Sequence, residues 1–548
     1  MKNITVFKAR KILTMNDYMP EATHVAVCDG RVLGVGSEAE MAMWGEFELD
    51  ERFSSHVFTP GFVEGHAHAE EGNAWEQPYV GYHDRYDPEG NLWHGADSTE
   101  AVAAILKKIE AEMQDPQEPL FAWGFDPIFL GDERLSSRHL DQVSSTRPVL
   151  VLHSNGHLLN VNSKVLSMAG ITAQTNVHGI SKDEQGQPTG ELVEMAAMYM
   201  AYKYTGDPFM GVTSAEHLNR YAQAAVNCGV TTATDLWASY DDDTMAVYAE
   251  ATSHPDYPIR LVPALNTLDL PLEDGIQRAK EALRKGNDKL YYGLCKIMTD
   301  GSIQGFSARL KWPGYLNGAP NGLWNLPPEQ LTAMVRGYHD AGLQLHIHTN
   351  GDEASELMID AIEQAITASP RPDHRHTLQH CQMADAAQFR RMAALGICAN
   401  LFANHIYYWG DQHYSTTLGS DRASRINACR TAIDSGVHFA IHSDAPVTPL
   451  APLFTAWCAV NRLTTNGRVL GKLQRIGVQD ALWAITQGAA YTLKMDHLVG
   501  SIEPGKFADF AVLEKDPTDV SATSLKDIGV WGTITGGIAQ PASIRQTS

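Results

Sequence analysis

The sequence predicts an α/β fold: a (β/α)8 TIM-type barrel, joined to a small β module built from both chain ends and carrying a large insertion after barrel strand one. Three observations predict it. Eight short apolar runs are followed by helical patterns, the habit of parallel βα units. Short strands bounded by turn residues occupy both termini, and a long segment with its own periodicity separates the first two apolar runs. With 548 residues the chain has room for one barrel and a smaller module.

The N-terminal part, residues 1–57, reads as Ile4–Lys8, Val25–Cys28 before Asp29-Gly30, and Val32–Val35 before Gly36. Apolar runs cut by such turn residues are short β-strands. The same style returns in residues 496–548, where the turn Gly500-Ser-Ile-Glu-Pro-Gly505 precedes a strand ending at Leu513. These two pieces are expected to share one sheet. Between them, over 58–495, barrel strands are expected near Val57–Glu64, Val230–Leu236, Arg260–Ala264, Tyr292–Met298, Leu343–His348, Thr377–His380, Ile397–Phe402 and His438–Asp444. The insertion, about 70–225, falls over the barrel mouth and includes a helix with Val102, Ile105, Leu106 and Ile109 at i, i+3, i+4, i+7 spacing.

Composition narrows the class of partner. A formal net charge of −23 argues against nucleic acid or an anionic membrane, both of which need a basic face. No apolar run approaches a membrane span, and MKNITVFKARKILTM has no unbroken apolar stretch of the export type. The seven cysteines (28, 228, 295, 381, 398, 429 and 458) are dispersed and free of C-x-x-C pairs. They suggest neither a disulfide framework nor a thiolate metal site, so a cytoplasmic location is expected. The sequence is compatible with a homo-oligomer.

The chemistry-bearing residues cluster at strand ends, where barrels of this kind build their active sites. His66-Ala-His68 closes the first strand, and alternation puts both imidazoles on one face, able to grip one ion. On strand five Gln344, His346 and His348 share a face; His348, nearest the C-terminal end, is the better ligand, and His346 lies one layer deeper. His380 ends strand six. Strand eight ends in Ala440-Ile-His442-Ser-Asp444, which brings a carboxylate, and with it His442, to the mouth; the competing use of Asp444 is as a helix N-cap. Lys296 is anomalous, because an ammonium inside an apolar strand is costly unless paired or chemically changed.

In this order, H-x-H on strand one, Lys on four, His on five and six and Asp on eight, the residues resemble the amidohydrolase superfamily. Lys296 followed by Asp300-Gly-Ser, His348-Thr-Asn-Gly-Asp352, His380-Cys-Gln-Met and Ser443-Asp444-Ala-Pro-Val are similar to its YtcJ-like branch, which includes N-substituted formamide deformylase. So are Asn155-Gly-His157-Leu-Leu-Asn160, Gly186-Gln-Pro-Thr-Gly190 and Gly500-Ser-Ile-Glu-Pro-Gly-Lys-Phe-Ala-Asp509. The resemblance implies that the terminal strands form a small β-sandwich. It implies His66 and His68 on a buried metal, His348 and His380 on a more exposed one, and a carboxylated Lys296 bridging the two. Asp444 would contact metal and act as general base and acid toward a metal-activated hydroxide that cleaves an amide or formamide C–N bond. Imidazole and carboxylate ligands suit Zn2+, as one ion or two, with other transition metals compatible.

Substrate contacts are expected from the insertion. His153, Asn155 and His157 follow a strand and could reach a substrate carbonyl, or simply form a turn network. Trp75, Tyr79, Tyr82, Tyr86 and Trp93 make its start aromatic, as do Tyr407-Tyr-Trp409 after strand seven; such rings either pack a lid or receive an apolar substrate. A deaminase on the same scaffold would need a carboxylic acid three residues after His348, where Gly351 stands. Cyclic amide or carbamate hydrolysis uses the same metal site and stays open. A non-catalytic binding or regulatory protein would be expected to have lost a ligand, and none is lost.

Overall fold

The computed structural model describes residues 3–544, apart from 132, 210, 211, 213 and 269. The outermost ends of the expected terminal module, 1–2 and 545–548, lie outside the described residues.

Eight parallel strands pair in sequence order: Phe62–Glu64, Val230–Ala238, Arg260–Asn266, Leu294–Met298, Gln344–Thr349, Thr377–His380, Cys398–Leu401 and Phe439–Ile441. Just past the first and last of them the backbone also joins. Asp444 N–H donates to the His66 carbonyl at 3.1 Å and His68 N–H to the Ala445 carbonyl at 2.8 Å. Alternation sorts each strand. On strand five Leu345 and Ile347 turn outward into the main core, with Leu331, Val335 and Tyr338 of helix Pro328–Asp340 and Met358, Ile359 and Ile362 of helix Asp352–Ala368. Gln344, His346 and His348 occupy the other face. Register then sets Lys296 beside His346 and Thr349 beside His380, so strands four, five and six present polar side chains at neighbouring levels.

The expected first strand, Val57–Glu64, is two strands. Val57–Pro60 belongs to a second sheet, where it pairs in parallel with Lys11 and Ile12 and antiparallel with Phe510–Leu513; only Phe62–Glu64 enters the barrel. Gly61 makes the switch because a Cβ there would lie 1.9 Å from Thr231 Oγ1. The second sheet combines five strands between Thr5 and Pro60 with Phe510–Leu513, Val530–Thr535 and Ile538–Pro541. Phe7, Phe53, Phe58 and Phe510 fill its core. Asp509, next to that sheet, accepts a bidentate pair of bonds from Arg260 of barrel strand three at 2.7 and 2.9 Å, with both side chains buried.

The insertion folds on its own sheet, ordered Ile180–Lys182, Pro188–Val193, Leu158–Val161, Val149–His153 and Leu120–Phe125. Its expected helix is Thr99–Glu110, capped by Ser98, whose hydroxyl accepts from Ala101 N–H. Val102 and Leu106 are buried in the insertion's own core. No helix among the described residues is long and apolar enough to cross a membrane.

Candidate metal centre

Three histidines, two following strand one and one ending strand six, meet at Asp444. His66 Nε2 and His68 Nε2 lie 3.2 and 3.3 Å from Asp444 Oδ1, and His380 Nδ1 lies 3.7 Å from Oδ2. Asp444 and His380 both have positive φ, +56° and +67°. Non-glycine residues take that conformation at a cost, and such strain gathers where side chains must be aimed. Asp444 starts a turn rather than capping a helix, so the competing role expected for it does not apply. His348 joins through His380, with Nδ1 3.0 Å from His380 Nε2. Lys296, 1% exposed, places Nζ 3.3 Å from His66 Nε2.

A buried hydrogen-bond chain orients His66. The Thr492 carbonyl can only accept, so His346 Nε2 donates to it at 3.2 Å and His346 Nδ1 is left to accept from Gln379 Nε2 at 2.6 Å. Gln379 Oε1 in turn accepts from His66 Nδ1 at 2.7 Å, which leaves the lone pair of His66 on Nε2, facing Lys296 and Asp444. His346 is therefore a positioning residue, the deeper-layer role expected for it.

Electrostatics follows burial. Desolvation holds His66, His348 and His380 well below the ordinary imidazole range, hence neutral and able to donate lone pairs. It also pushes the Lys296 amine down to about 7, against the pull of Asp444. Asp444 goes the other way: burial opposes ionisation, but His68, His442 and Lys296 outweigh it and hold the carboxyl below its usual value. The Asp300 carboxylate accepts the N–H groups of Arg309, Asn350 and Gly351 at 2.9, 3.1 and 2.9 Å and so ties the loop after strand four to the end of strand five.

Two donor groups fit a metal ion, His66 with His68 and Asp444, and His66 with His380 and His442, each with ligand atoms within 4.8 Å of one another. His380 Nδ1 and both ring nitrogens of His442 are buried without a hydrogen-bond partner among the described residues. Buried polar atoms are rarely left so, and a cation would satisfy the lone-pair nitrogen of each ring.

Of the expected substrate residues, the structure brings two to this centre. The His157 ring packs 5.1 Å from that of His348, and Asn155 Nδ2 donates to Ser302 Oγ in the loop after strand four at 3.0 Å. His153 is turned into the insertion, against Asn160 Oδ1 and the Phe125 ring. Trp75 packs with Tyr79, Trp93 and Trp123 in a small aromatic core. Tyr82, 39% exposed, stacks on Phe129 and lines a cleft with Arg85, Asp126, Trp409 and Val447.

Sequence reasoning passed over Gln379, Glu64 and Glu194. Glu64 accepts from Ser443 Oγ at 2.9 Å and is pushed up to about 8, chiefly by burial; its signal was a carboxylate two residues before His66 on the same face. Glu194, at φ +63°, accepts from His157 Nδ1 at 2.9 Å. Burial lowers the His157 pKa, but Glu194, with Asp300 and Asp444, more than reverses this. No local pattern announces that pair. The position a deaminase would need for its acid is closed, since a Cβ on Gly351 would lie 1.7 Å from the Arg309 carbonyl.

Comparison with known proteins fits this geometry. The amidohydrolase family model matches residues 56–538. Protein LONG AFTER FAR-RED 3 of Arabidopsis thaliana is 28% identical over 96% of this chain and 89% of its own length. Putative amidohydrolase YtcJ of Bacillus subtilis is 27% identical over 96% and 97%, and N-substituted formamide deformylase of Arthrobacter pascens is 24% identical over 98% of both chains. Among solved structures, an uncharacterized metal-dependent hydrolase from Pyrococcus horikoshii superposes with a TM-score of 0.71 at 19% identity, covering 95% of this chain and 99% of that one. The chain belongs to the amidohydrolase family and is a hydrolase acting on carbon–nitrogen bonds.

Proposed function

We propose that this protein hydrolyses the C–N bond of a small, acyclic, non-peptide amide or N-substituted formamide. The observation that carries the reading is the meeting of His66, His68 and His380 at one ionised carboxylate, Asp444, at the C-terminal end of a barrel. His66, His68, Lys296, His348, His380 and Asp444 would hold one or two divalent ions, with Zn2+ the best match to the donor set. When bound, the metal supplies Lewis-acid polarisation of a carbonyl and acidifies water. Asp444 takes the proton that attacking water loses and passes it to the leaving nitrogen. With its pKa at about 7, the Lys296 amine is partly unprotonated and could add CO2 with loss of one proton, giving a carbamate anion that would serve as a metal ligand.

Asn155 and His157 hold the substrate from the insertion side, and Glu194 fixes the His157 tautomer by accepting from Nδ1. The cleft lined by Tyr82, Phe129 and Trp409 supports an apolar or aromatic substituent on the substrate. The shared terminal sheet supports assigning residues 1–57 and 496–548 to one small β-sandwich module beside a barrel unit of 58–495. The test is metal analysis of the purified protein with a screen of N-substituted formamides, N-acyl amines and cyclic amides, before and after chelation. Turnover of the acyclic compounds that chelation removes is expected. Turnover of cyclic amides alone would overturn the acyclic assignment.

A further inference from the structure

His442 stands two residues before Asp444 and is 0% exposed. Its ring lies flat between two others: His66 at 4.6 Å between centroids and 14° between planes, and Phe402 at 4.9 Å and 24°. That sandwich fixes the ring plane. A neutral imidazole always has one lone pair and one N–H to satisfy, yet neither His442 nitrogen has a hydrogen-bond partner among the described residues. Four other deep histidines of this barrel are treated differently. His339, His374 and His376, at the opposite end, are saturated by each other and by backbone groups. His346 has a partner on each nitrogen. His442 instead offers a donor atom within 4.8 Å of donor atoms of both His66 and His380, and His380 Nδ1 also has no hydrogen-bond partner among the described residues.

We propose that His442 is an additional imidazole donor of the metal centre, so that two overlapping donor groups share His66: one completed by His68 and Asp444, the other by His380 and His442. The inference rests on the metal-centre reading above and adds to its ligand set. A stacked filler would be served as well by any flat apolar ring, and a hydrogen-bonding histidine would have its partner; orphaned nitrogens within 4.8 Å of donor atoms of His66 and His380 fit neither.

His442→Phe separates these roles, because it keeps a flat ring between His66 and Phe402 while removing both nitrogens. The full-length chain is stripped with a chelator, and Zn2+ affinity is measured by competition with a chromophoric chelator, followed by the visible spectrum of the Co2+ form. The expected result is Zn2+ binding weakened beyond the roughly 10-fold to 100-fold that losing an outer partner of a ligand costs, together with an altered Co2+ spectrum. Phe402→Leu, which removes a stacking partner but no nitrogen, should keep affinity within a few-fold. Wild-type affinity and an unchanged Co2+ spectrum in His442→Phe would overturn the proposal while leaving the hydrolase reading intact. Should His442→Phe fail to fold, anomalous diffraction from zinc-loaded wild-type protein decides: a His442 nitrogen at about 2.0–2.1 Å from an ion supports it, and a His442 ring touching no ion overturns it. A wild-type chain that takes up no divalent metal sinks the metal-centre reading and this inference together.

Discussion

At the scale of the residue, burial disfavours the charge on both Asp444 and Lys296, and only at Asp444 do the neighbouring groups outweigh it. Asp444 is kept ionised by the groups around it, so Asp444→Asn removes proton transfer while leaving the volume and the histidines in place. Its kcat should fall by about 10² to 10⁴ with metal content near wild type; activity within a few-fold of wild type would remove Asp444 from the proton path. Lys296 is poised near neutrality. If its carbamate bridges two ions, Lys296→Ala should abolish turnover, and a short carboxylic acid added to the mutant should restore part of it. Metal analysis of the native protein should then approach two ions per chain. An inactive mutant that no acid rescues, in a protein holding one ion per chain, would point to a plain amine at that position.

At the scale of the element, strand alternation explains which side chains meet, and the insertion shows where alternation stops helping. His346 and His348 share a face of strand five; one ends a hydrogen-bond chain and the other reaches His380. In the insertion, His153 and Trp75 serve its own packing, whereas Asn155 and His157, beyond the strand in the turn that follows it, reach the barrel. Trp75→Ala and Tyr82→Ala should therefore differ. Losing the buried Trp75 ring should cost about 3–5 kcal/mol of packing, seen as a lower thermal midpoint. Losing the half-exposed Tyr82 should leave the midpoint nearly unchanged and shift preference between large and small amides. If Trp75→Ala is as stable as wild type and only substrate preference moves, its ring belongs to the binding cleft.

At the scale of the whole molecule, two sheets are fastened together by a buried ion pair. Arg260 of barrel strand three reaches Asp509 in the conspicuous C-terminal turn-and-strand motif and also lies 3.4 Å over the Phe507 ring. Breaking one partner leaves a buried charge uncompensated. Asp509→Ala should destabilise the chain by about 3–5 kcal/mol in denaturant unfolding, with the metal stoichiometry of the remaining folded protein unchanged. The double replacement Arg260→Met with Asp509→Leu should recover most of that loss. A single mutant as stable as wild type would show that the two sheets hold together without the pair.

The sequence by itself determined the strand-end residues and their order, since alternation within a strand and the habit of barrels to build sites at carboxyl ends are local signals. His66, His68, His348, His380 and Asp444 were legible for that reason, as were the eight barrel strands and the helix over Val102 and Leu106. Only the tertiary structure decided that Val57–Glu64 splits at Gly61, because the collision with Thr231 that requires glycine comes from a residue 170 positions away in the chain. It likewise decided that Gln379 bridges His66 and His346, that Glu194 holds His157, and that both nitrogens of His442 lack a hydrogen-bond partner among the described residues. The Gln379 bridge and the surroundings of His442 depend on the barrel bringing strands one, five, six and eight together, and the Glu194–His157 pair depends on Leu158–Val161 pairing with Pro188–Val193 in the insertion. No window along the chain contains both members of such a pair, so no local pattern can announce it.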